Sequence, residues 1–386
     1  MKAYVVGGAV RDRLLGCAVN DRDWVVVGAT PEQMLAAGYT PVGRDFPVFL
    51  HPTTHEQYAL ARTERKSGRG YHGFQIHAAP DVTLQQDLAR RDLTINAIAE
   101  DADSGELIDP FGGQRDLHDG VLRHVSDAFA EDPVRLLRLA RFAARWPHFT
   151  VADSTRALLR RLVDDGEVDA LVPERVWQEV SRGLDESRPS RMFDVLLECG
   201  ALQRLAPMLQ PCFADPPRRA MLMQAIDHAP ASIAVRWACL CHAIDATPAG
   251  VAPDLPQLRA LCERWRVDVD SRDLAVMVAR EWPLMTAGST FDPVQCLGLL
   301  ERCDAWRRPE RLQVALAAFD ALGRATPAAS TSVQRRCEQV RLALQSAQRV
   351  SAAALPEALR HAGGPALGQA LRDARLQAIS EAFDRT

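Results

Sequence analysis

The chain has 386 residues, of which 47% are hydrophobic and 25% charged, so it can bury a core of two or three domains and is not expected to be disordered. It contains no apolar run near the roughly 18 residues of a membrane-spanning helix, and its first residues do not resemble a signal peptide, so we expect a cytoplasmic protein. The net charge of −4 does not indicate a nucleic-acid partner, although all but two of the 46 cationic residues are arginines.

Up to about residue 125, short β-type runs alternate with short helical segments, which predicts a small mixed head. The expected strands are Ala3–Val6, Trp24–Val27, Pro47–His51, Gln57–Arg62, Thr94–Glu100 and Glu106–Asp109. The expected helices are Ala9–Leu15, Pro31–Ala37 and Gln85–Arg90.

From Glu131 onward, apolar residues recur at three-to-four spacing, which predicts a helical remainder. The expected helices lie near 154–163, 174–185, 191–199, 256–265, 270–281, 293–301, 309–322, 333–347 and 367–384. The Ala/Pro-rich stretches 246–256 and 323–332 are expected to be linkers. We therefore expect a head over 1–130, a helical neck over 131–205, and a helical body and tail over 206–386.

The first motif is the run Gly7-Gly8-Ala9-Val10-Arg11-Asp12, which ends a predicted strand and opens a predicted helix. Glycines allow a ligand to approach the backbone, and N–H groups at a helix start favour a phosphate. Arg11 adds a cation that can donate two hydrogen bonds to one phosphate. A purely structural glycine turn is the alternative, and the sequence lacks the Gly-Lys-Ser/Thr of a Walker A loop.

The second motif consists of Asp21 and Asp23, two residues apart where a strand begins, so that both carboxylates project from one face. A divalent cation relieves the repulsion between them, and such oxygen ligands suit Mg²⁺ shared with substrate phosphates. A solvated acidic turn is the alternative for an isolated Asp-x-Asp. A glycine helix start followed by Asp-x-Asp on the next strand is more specific, and resembles the layout of polymerase-β-type nucleotidyltransferases.

The third motif places Arg91 and Asp92 among charged neighbours, directly before a predicted strand. One interpretation is a surface cluster of ion pairs. The other is that these two side chains meet the triphosphate and the ribose of a nucleotide.

The fourth motif begins with Asp132, which fits the cap of a helix that Pro133 opens. Arg135, Arg138 and Arg141 recur every three residues and form a slanted row on one helical face. These arginines repel one another unless an anion lies among them. A solvated basic face is the alternative.

Together the four motifs resemble the class II tRNA nucleotidyltransferases, which comprise bacterial CCA-adding enzymes and their poly(A) polymerase relatives. The resemblance is close over residues 1–145, and the runs 21–28, 44–52 and 61–66 are similar to the proteobacterial CCA-adding branch. The segment Pro173–Glu179 also fits the neck of that family. The resemblance implies an α+β fold, with an N-terminal polymerase-β-type head built on a mixed or antiparallel sheet, followed by an all-α neck, body and tail.

The resemblance also implies a role for each motif residue. Asp21 and Asp23 are the implied catalytic and Mg²⁺-binding pair, and the implied nucleotide-binding residues are Gly8, Arg11, Arg91, Asp92, Asp132, Arg135, Arg138 and Arg141. Asp132 and Arg135 would read the base edge of CTP or ATP in place of a template strand. The chemistry agrees, because a carboxylate accepts from the exocyclic amino groups of cytosine and adenine, where uracil and guanine present a carbonyl oxygen.

The implied reaction is the template-independent addition of CCA to the 3′ end of tRNA from CTP and ATP. Three alternatives stay open: a poly(A) polymerase of the same fold, an enzyme that adds only CC or only A, and a catalytically dead RNA-binding protein. The intact Asp-x-Asp argues against the last. The segment Thr63–Phe74 resembles a mobile loop that helps the family switch from CTP to ATP, or it is an ordinary glycine-containing loop.

The body departs from the family at one place. Close relatives often carry a metal-dependent phosphohydrolase His-Asp pair after the neck, and here Ala243 follows His242. We therefore expect that second activity to be lost, with His228, His242 and Asp245 structural or solvated. The body is expected to bind tRNA, and its scattered arginines, which include Arg335 and Arg336, are available for phosphates without reading sequence.

Overall fold

The computed structural model describes residues 1–19, 21–42, 48–66, 74–248, 251–288, 290–355 and 364–385. It divides into two compact units, one made of Met1–Gly183 with Arg191–Leu205 and the other of Leu184–Ser190 with Ala206–Thr386. Among the described residues, no helix is both long enough and apolar enough to cross a bilayer. The three-part division into head, neck and body stays a prediction.

The first unit is built on a seven-stranded mixed sheet of order β3-β4-β5-β2-β1-β8-β9. In the described residues, β6 pairs with β7 and β10 pairs with β11 outside this sheet. The strands of the unit are β1 (Lys2–Val6), β2 (Asp23–Val27), β3 (Thr40–Val42), β4 (Val48–Leu50), β5 (Gln57–Leu60), β6 (Arg62–Lys66), β7 (Phe74–Ala78), β8 (Ala99–Asp101), β9 (Leu107–Ile108), β10 (Val121–Leu122) and β11 (Thr150–Val151). β1 pairs antiparallel with β2 and β8, and β2 pairs parallel with β5. The register sets Val6 opposite Asp23, which brings the end of β1 beside the start of β2.

Helices cover this sheet and continue the unit. They are α1 (Gly8–Leu14), α2 (Pro31–Ala36), α3 (Leu84–Ala89), α4 (Gly113–Asp119), α5 (Val134–Arg145), α6 (Asp153–Asp164), α7 (Pro173–Asp185), α8 (Ser190–Glu198) and α9 (Ala201–Leu205). Alternation along β2 separates two cores: Val25 packs with Leu88 of α3, and Val26 packs with Met34 of α2. The sheet is therefore buried on both faces, which fixes the register of β1 and β2.

The second unit is helical throughout its described residues. Its helices are α10 (Gln210–Ala214), α11 (Pro216–His228), α12 (Ile233–Cys241), α13 (Pro256–Trp265), α14 (Val269–Thr286), α15 (Pro293–Arg302), α16 (Pro309–Ala325), α17 (Ser330–Gln348) and α18 (Gly364–Phe383). Large aromatic side chains, among them Trp237, Trp265 and Phe319, are almost fully buried in its core.

The fold class predicted from the sequence is confirmed, with a mixed sheet at the N-terminus and helices in the remainder. One predicted strand is wrong, because Thr94–Asn96 forms a 3₁₀ turn and only β8 is extended. The β-branched residues Thr94 and Ile95 favour a strand locally. Tertiary contacts override that preference, since Thr94 Oγ1 donates to Asp116 at 2.7 Å and Gly113 packs against the Thr94 carbonyl.

The segment predicted as a loop over Thr63–Phe74 is extended at both ends. β6 pairs antiparallel with β7, from Arg62 opposite Ala78 to Lys66 opposite Phe74. Residues 67–73 of the predicted loop lie outside the described part of the chain, as do Arg44–Pro47 of the family-like run and residues 249–250 of the first predicted linker. The second predicted linker, 323–332, is partly wrong, because α16 extends to Ala325 and α17 begins at Ser330.

Candidate active site

The first unit contains a cavity of about 640 Å³ between the start of α1 and the arginine row of α5. Its lining residues are Gly7, Gly8, Arg11, Asp21, Asp23, Arg90, Arg91, Asp92, Asn96, Arg135, Arg138, Arg141, Phe142, Arg145 and Arg182. Of the site residues predicted from the sequence, all but Asp132 therefore line one cavity. Arginines outnumber carboxylates among these residues, so the cavity suits an anionic ligand.

Gly7 forms the turn between β1 and α1, with φ 72° and ψ −128°, a combination that strongly favours glycine. Its N–H donates to the Ile98 carbonyl at 3.2 Å. A Cβ on Gly7 would lie 2.8 Å from Arg91 Nη1. The glycine therefore allows the Arg91 guanidinium to lie directly against the turn that opens α1.

Asp21 and Asp23 are both exposed and both line the cavity. Asp23 is the first residue of β2, held opposite Val6 on one side and Gln57 on the other. Within the described part of the chain, neither carboxylate makes an ion pair or a side-chain hydrogen bond. Two such carboxylates beside an arginine-lined cavity fit a divalent cation that takes its remaining ligands from substrate phosphates and water.

No group of three or more His, Cys, Asp or Glu side chains among the described residues is placed to hold a metal ion. The aspartate pair on its own therefore offers fewer ligands than an all-protein metal cage requires.

Arg11 is only 5% exposed and is held on all sides. Its Nη1 donates to Asn96 Oδ1 at 2.5 Å and its Nε donates to Asp12 Oδ1 at 2.8 Å. The guanidinium also lies over the Phe142 and Trp146 rings, 5.2 and 4.9 Å from their centroids. Burial lowers the pKa of Arg11, and the charge of Asp12 opposes that shift. Arg11 thus contributes a fixed positive charge to the cavity wall.

Asp92 is buried and accepts three hydrogen bonds. Arg138 Nε donates to its Oδ2 at 2.9 Å, while Asn96 Nδ2 and the Leu93 N–H donate to its Oδ1 at 2.9 and 2.8 Å. Burial alone would raise the pKa of Asp92, but the charge of Arg138 and these hydrogen bonds hold it at about 2. Asp92 is therefore an anion at neutral pH, and it fixes the position of Arg138.

Two further carboxylates hold arginines of α5 without lining the cavity themselves. Glu179 of α7 is 5% exposed, and its Oε2 accepts from Arg141 Nε at 2.7 Å. Asp12 of α1 accepts from Arg145 Nη2 at 3.1 Å through Oδ2, while its Oδ1 binds Arg11. The arginine row is thus held from behind by acids on neighbouring helices.

Asp132 is the one predicted site residue that does not line the cavity. Its carboxylate is bound by an arginine of α7. Arg175 Nη1 and Nη2 donate to its Oδ1 and Oδ2 at 3.1 and 2.8 Å, and the Val134 N–H donates to Oδ1 at 3.2 Å. The helix begins at Val134 with Pro133 as its N-cap, so Asp132 lies one residue before the cap position predicted for it. Arg135 does line the cavity, and its Nη1 donates to the Ala128 carbonyl at 2.9 Å.

The charged run around Arg91 is partly an ion-pair cluster, as one interpretation expected. Asp87 is fully buried and accepts from Arg90 at 2.8 Å and from Arg91 at 3.3 Å. Both arginines nevertheless line the cavity. The two interpretations of this motif are therefore compatible, since the carboxylate lies behind cations that face the cavity.

Sequence reasoning missed Asn96, Arg90, Phe142, Arg145 and Arg182. Arg145 had a signal, because it lies four residues beyond Arg141 on the same face of α5. Asn96 had no such signal, because it stands in a run that favours a strand. Arg182 had only its two-turn spacing from Arg175 on α7.

The second unit has a different cavity, of about 310 Å³, where His242 and Ala243 stand among mostly apolar residues. His242 Nδ1 lies 2.7 Å from the Cys239 carbonyl, so this nitrogen carries the proton. Burial lowers the pKa of His242 to about 4. Asp245 accepts from the Leu258 N–H at 2.9 Å, and His228 is exposed at the end of α11. These three residues have the structural or solvated positions expected for them.

The sequence matches two family descriptions. Residues 3–123 match the poly(A) polymerase head domain, and residues 148–213 match the probable RNA- and SrmB-binding site of polymerase A. The fold and the site together define a nucleotidyltransferase with a head of this type.

Similar curated proteins cover nearly the whole chain. The multifunctional CCA protein of Leptothrix cholodnii is 53% identical over 98% of this chain and 96% of its own length. The multifunctional CCA protein of Aromatoleum aromaticum is 56% identical over 89% of this chain and 90% of its own length. The chain belongs to the family of multifunctional CCA proteins, enzymes that are generally dependent on a divalent metal ion.

Solved structures share the fold at lower identity. The Bacillus stearothermophilus CCA-adding enzyme in complex with CTP has a TM-score of 0.67 at 22% identity, covering 99% of this chain and 89% of its own. The Thermotoga maritima CCA-adding enzyme complexed with tRNA has a TM-score of 0.67 at 22% identity, covering 100% of this chain and 91% of its own.

Proposed function

We propose that this protein adds C, C and A to the 3′ end of tRNA from CTP and ATP without a nucleic-acid template. The observation that carries the proposal is the cavity of the first unit, where two exposed carboxylates face a wall of fixed arginines. The high identity to multifunctional CCA proteins over nearly full length supports it. Because tRNA is the substrate, we also propose that the protein acts in the cytoplasm.

The triphosphate of the incoming nucleotide lies between the α1 turn at Gly8 and the cations Arg11 and Arg91. Asp21 and Asp23 would hold Mg²⁺ beside that triphosphate, in keeping with the small oxygen-only ligand set they offer. Such a cation would supply positive charge to offset the charge that develops on the reacting oxygens. The 3′ hydroxyl of tRNA releases its proton to solvent as its oxygen forms a bond to the α-phosphorus, and the bond from that phosphorus to the pyrophosphate oxygen breaks. The fixed arginines offset the charge that develops.

Asp92 aids recognition of the ribose, and Arg138 and Arg141 complete the nucleotide pocket. Arg135 and Asp132 select the base, with the Asp132 carboxylate accepting from the exocyclic amino group of cytosine or adenine. Arg175 occupies both oxygens of that carboxylate in the structure. Base recognition therefore requires Asp132 to share or exchange its hydrogen bonds with Arg175 when the nucleotide enters.

The test is incorporation into tRNA that lacks its CCA, with CTP and ATP together and the products sequenced. We expect complete CCA ends from the wild-type chain and, for Asp21→Ala, a rate lower by roughly a thousandfold, since several kcal/mol of metal-dependent stabilisation is lost. The affinity for tRNA should barely change. Asp103→Ala is the matched control, because Asp103 is an exposed acid of the head outside the cavity.

Other products would identify the alternatives. Tailing of general RNA with ATP alone would favour a poly(A) polymerase, and ends that stop at CC, or that gain only the final A, would favour a partial enzyme. Unaltered turnover by Asp21→Ala would remove Asp21 from the mechanism.

We further propose that this chain has lost the phosphohydrolase activity expected of a His-Asp pair in the second unit. Ala243, which directly follows His242, cannot ligate a metal. Metal-stimulated hydrolysis of a 2′,3′-cyclic phosphate by the purified protein would contradict this proposal.

A further inference from the structure

Most arginines that line the cavity of the first unit are matched by a carboxylate of the protein. The pairs are Arg11 with Asp12, Arg90 and Arg91 with Asp87, Arg138 with Asp92, Arg141 with Glu179, and Arg145 with Asp12. Each of these guanidinium groups has its place set before any ligand arrives. Their charges are also partly offset within the protein.

Arg182 is different. It is exposed, it lines the same cavity, and with the described residues it makes neither an ion pair nor a side-chain hydrogen bond. A cation in a cavity already rich in arginines is repelled by its neighbours, and an anion that enters the cavity would offset that repulsion.

The position of Arg182 on α7 points it toward the arginine row. Arg175, Glu179 and Arg182 are spaced by four and then three residues, so they share one face of the helix. Arg175 binds Asp132 at the start of α5, and Glu179 binds Arg141 in its last turns. α7 therefore runs alongside α5 in the same direction, and Arg182 follows at the end of the row remote from Asp132.

We propose that Arg182 binds a substrate phosphate at the end of the cavity remote from the base-reading residue. The proposal rests on the proposed function, which supplies two phosphate sources: the triphosphate of the nucleotide and the last phosphodiester of the tRNA. The flat guanidinium fork can donate two hydrogen bonds to either. Because the side chain has no partner of its own, it is able to engage the phosphate without first breaking an internal ion pair.

The experiment compares Arg182→Ala and Arg182→Lys in the full-length chain, with CCA-lacking tRNA as substrate. We expect kcat/KM to fall roughly tenfold for the alanine variant, since a charge-assisted hydrogen bond is lost, and lysine to recover part of it by restoring the charge without the fork. Arg161→Ala is the matched control, because Arg161 is an exposed arginine of the same unit on α6 outside the cavity.

Two measurements identify the source of the phosphate. A raised KM for CTP and ATP assigns Arg182 to the triphosphate. A weaker tRNA affinity, with the slope of log affinity against log salt reduced by about 1, assigns it to the tRNA backbone. If neither quantity changes while Asp21→Ala still abolishes incorporation, the proposal is overturned and the proposed function stands. If the wild-type chain fails to extend tRNA, the proposed function itself fails.

Discussion

In the first unit, buried arginines are held by carboxylates, whereas in the second unit they donate to backbone carbonyls. Arg11 and Arg141 each bind an acid and line a cavity. Arg236 and Arg336 of the second unit are buried to a similar extent, but they donate to backbone carbonyls. Buried arginines thus have two roles in this protein, and the chemical identity of the hydrogen-bond partner distinguishes one role from the other.

The carbonyl partners in the second unit lie at helix ends. Arg336 Nη1 and Nη2 donate at 2.7 Å to the Leu284 and Ala287 carbonyls, at the last turn and end of α14. Arg236 donates to the Leu184 and Glu186 carbonyls. The last carbonyls of a helix have no intrahelical partner, so these arginines stabilise the fold. The expectation that Arg336 is available for tRNA phosphates is therefore wrong, since the side chain is 2% exposed.

The sharpest test of this contrast is Arg336→Met, for which we expect the largest effect on stability. Methionine has a similar volume but leaves one buried and one partly buried carbonyl without the arginine donor, and each loss should cost about 1–3 kcal/mol of folding free energy. The free energy of unfolding should fall by about 3–4 kcal/mol in thermal or denaturant unfolding, with the KM for CTP and ATP unchanged. Arg335→Met, the same change at an exposed neighbour, is the control. If Arg336→Met instead weakened tRNA binding and left the stability unchanged, the distinction between carboxylate-bound and carbonyl-bound arginines would be contradicted.

The second test uses the titration of His242. Burial holds its pKa at about 4, below the 6.5 of an unfolded chain, so the unfolded state binds the proton first as the pH falls. The stability from neutral His242 is complete above pH 6.5 and is lost as the pH falls toward 4, by at most about 3 kcal/mol.

His242→Asn keeps a donor near the Cys239 carbonyl and removes the titration. Melting curves between pH 7 and 4 should therefore show a smaller loss of stability for the variant than for the wild-type chain. Parallel curves for the two proteins would mean that His242 binds its proton as readily in the folded state as in the unfolded state. Nucleotide incorporation at pH 7 should be the same for both, since the residue lies in the second unit.

The parts of the site that the sequence predicted are those set by local spacing. Asp21 and Asp23 share a strand end, and Arg135, Arg138 and Arg141 share a helical face, so periodicity alone places each group together. Their meeting in one cavity followed from the family resemblance rather than from spacing.

What the sequence could not predict are the partners of these residues, which come from distant positions. Nothing local in the sequence indicates that Asp132 meets Arg175 or that Arg141 meets Glu179, because these contacts depend on how α7 lies along α5. The strand expected at Thr94–Glu100 failed for a related reason. Asn96 lies in a 3₁₀ turn that places its side-chain amide between Arg11 and Asp92. Local strand propensity contains no information about these two hydrogen bonds, so it could not predict the turn.

The last and smallest effect we predict is for Glu179→Gln. This variant tests whether the acids behind the arginine row contribute to nucleotide binding or only to the stability of the fold. Glutamine keeps the volume and one acceptor for Arg141, but it removes the charge that offsets the Arg138 and Arg141 guanidinium groups. Without that charge, the positions of both guanidinium groups should be less well fixed. We therefore expect the KM for CTP and ATP to rise roughly tenfold, which corresponds to about 1.4 kcal/mol.

The unfolding temperature should change little by comparison with Arg336→Met, because glutamine keeps an acceptor for Arg141 and leaves no carbonyl without its donor. Glu174→Gln, the same change at an exposed position on α7, controls for the loss of a negative charge on that helix. A Glu179 variant that unfolds more easily but keeps the wild-type KM would place this ion pair with the carbonyl-bound arginines of the second unit. The chemical identity of the partner would then no longer distinguish an arginine that serves the substrate from one that serves the fold.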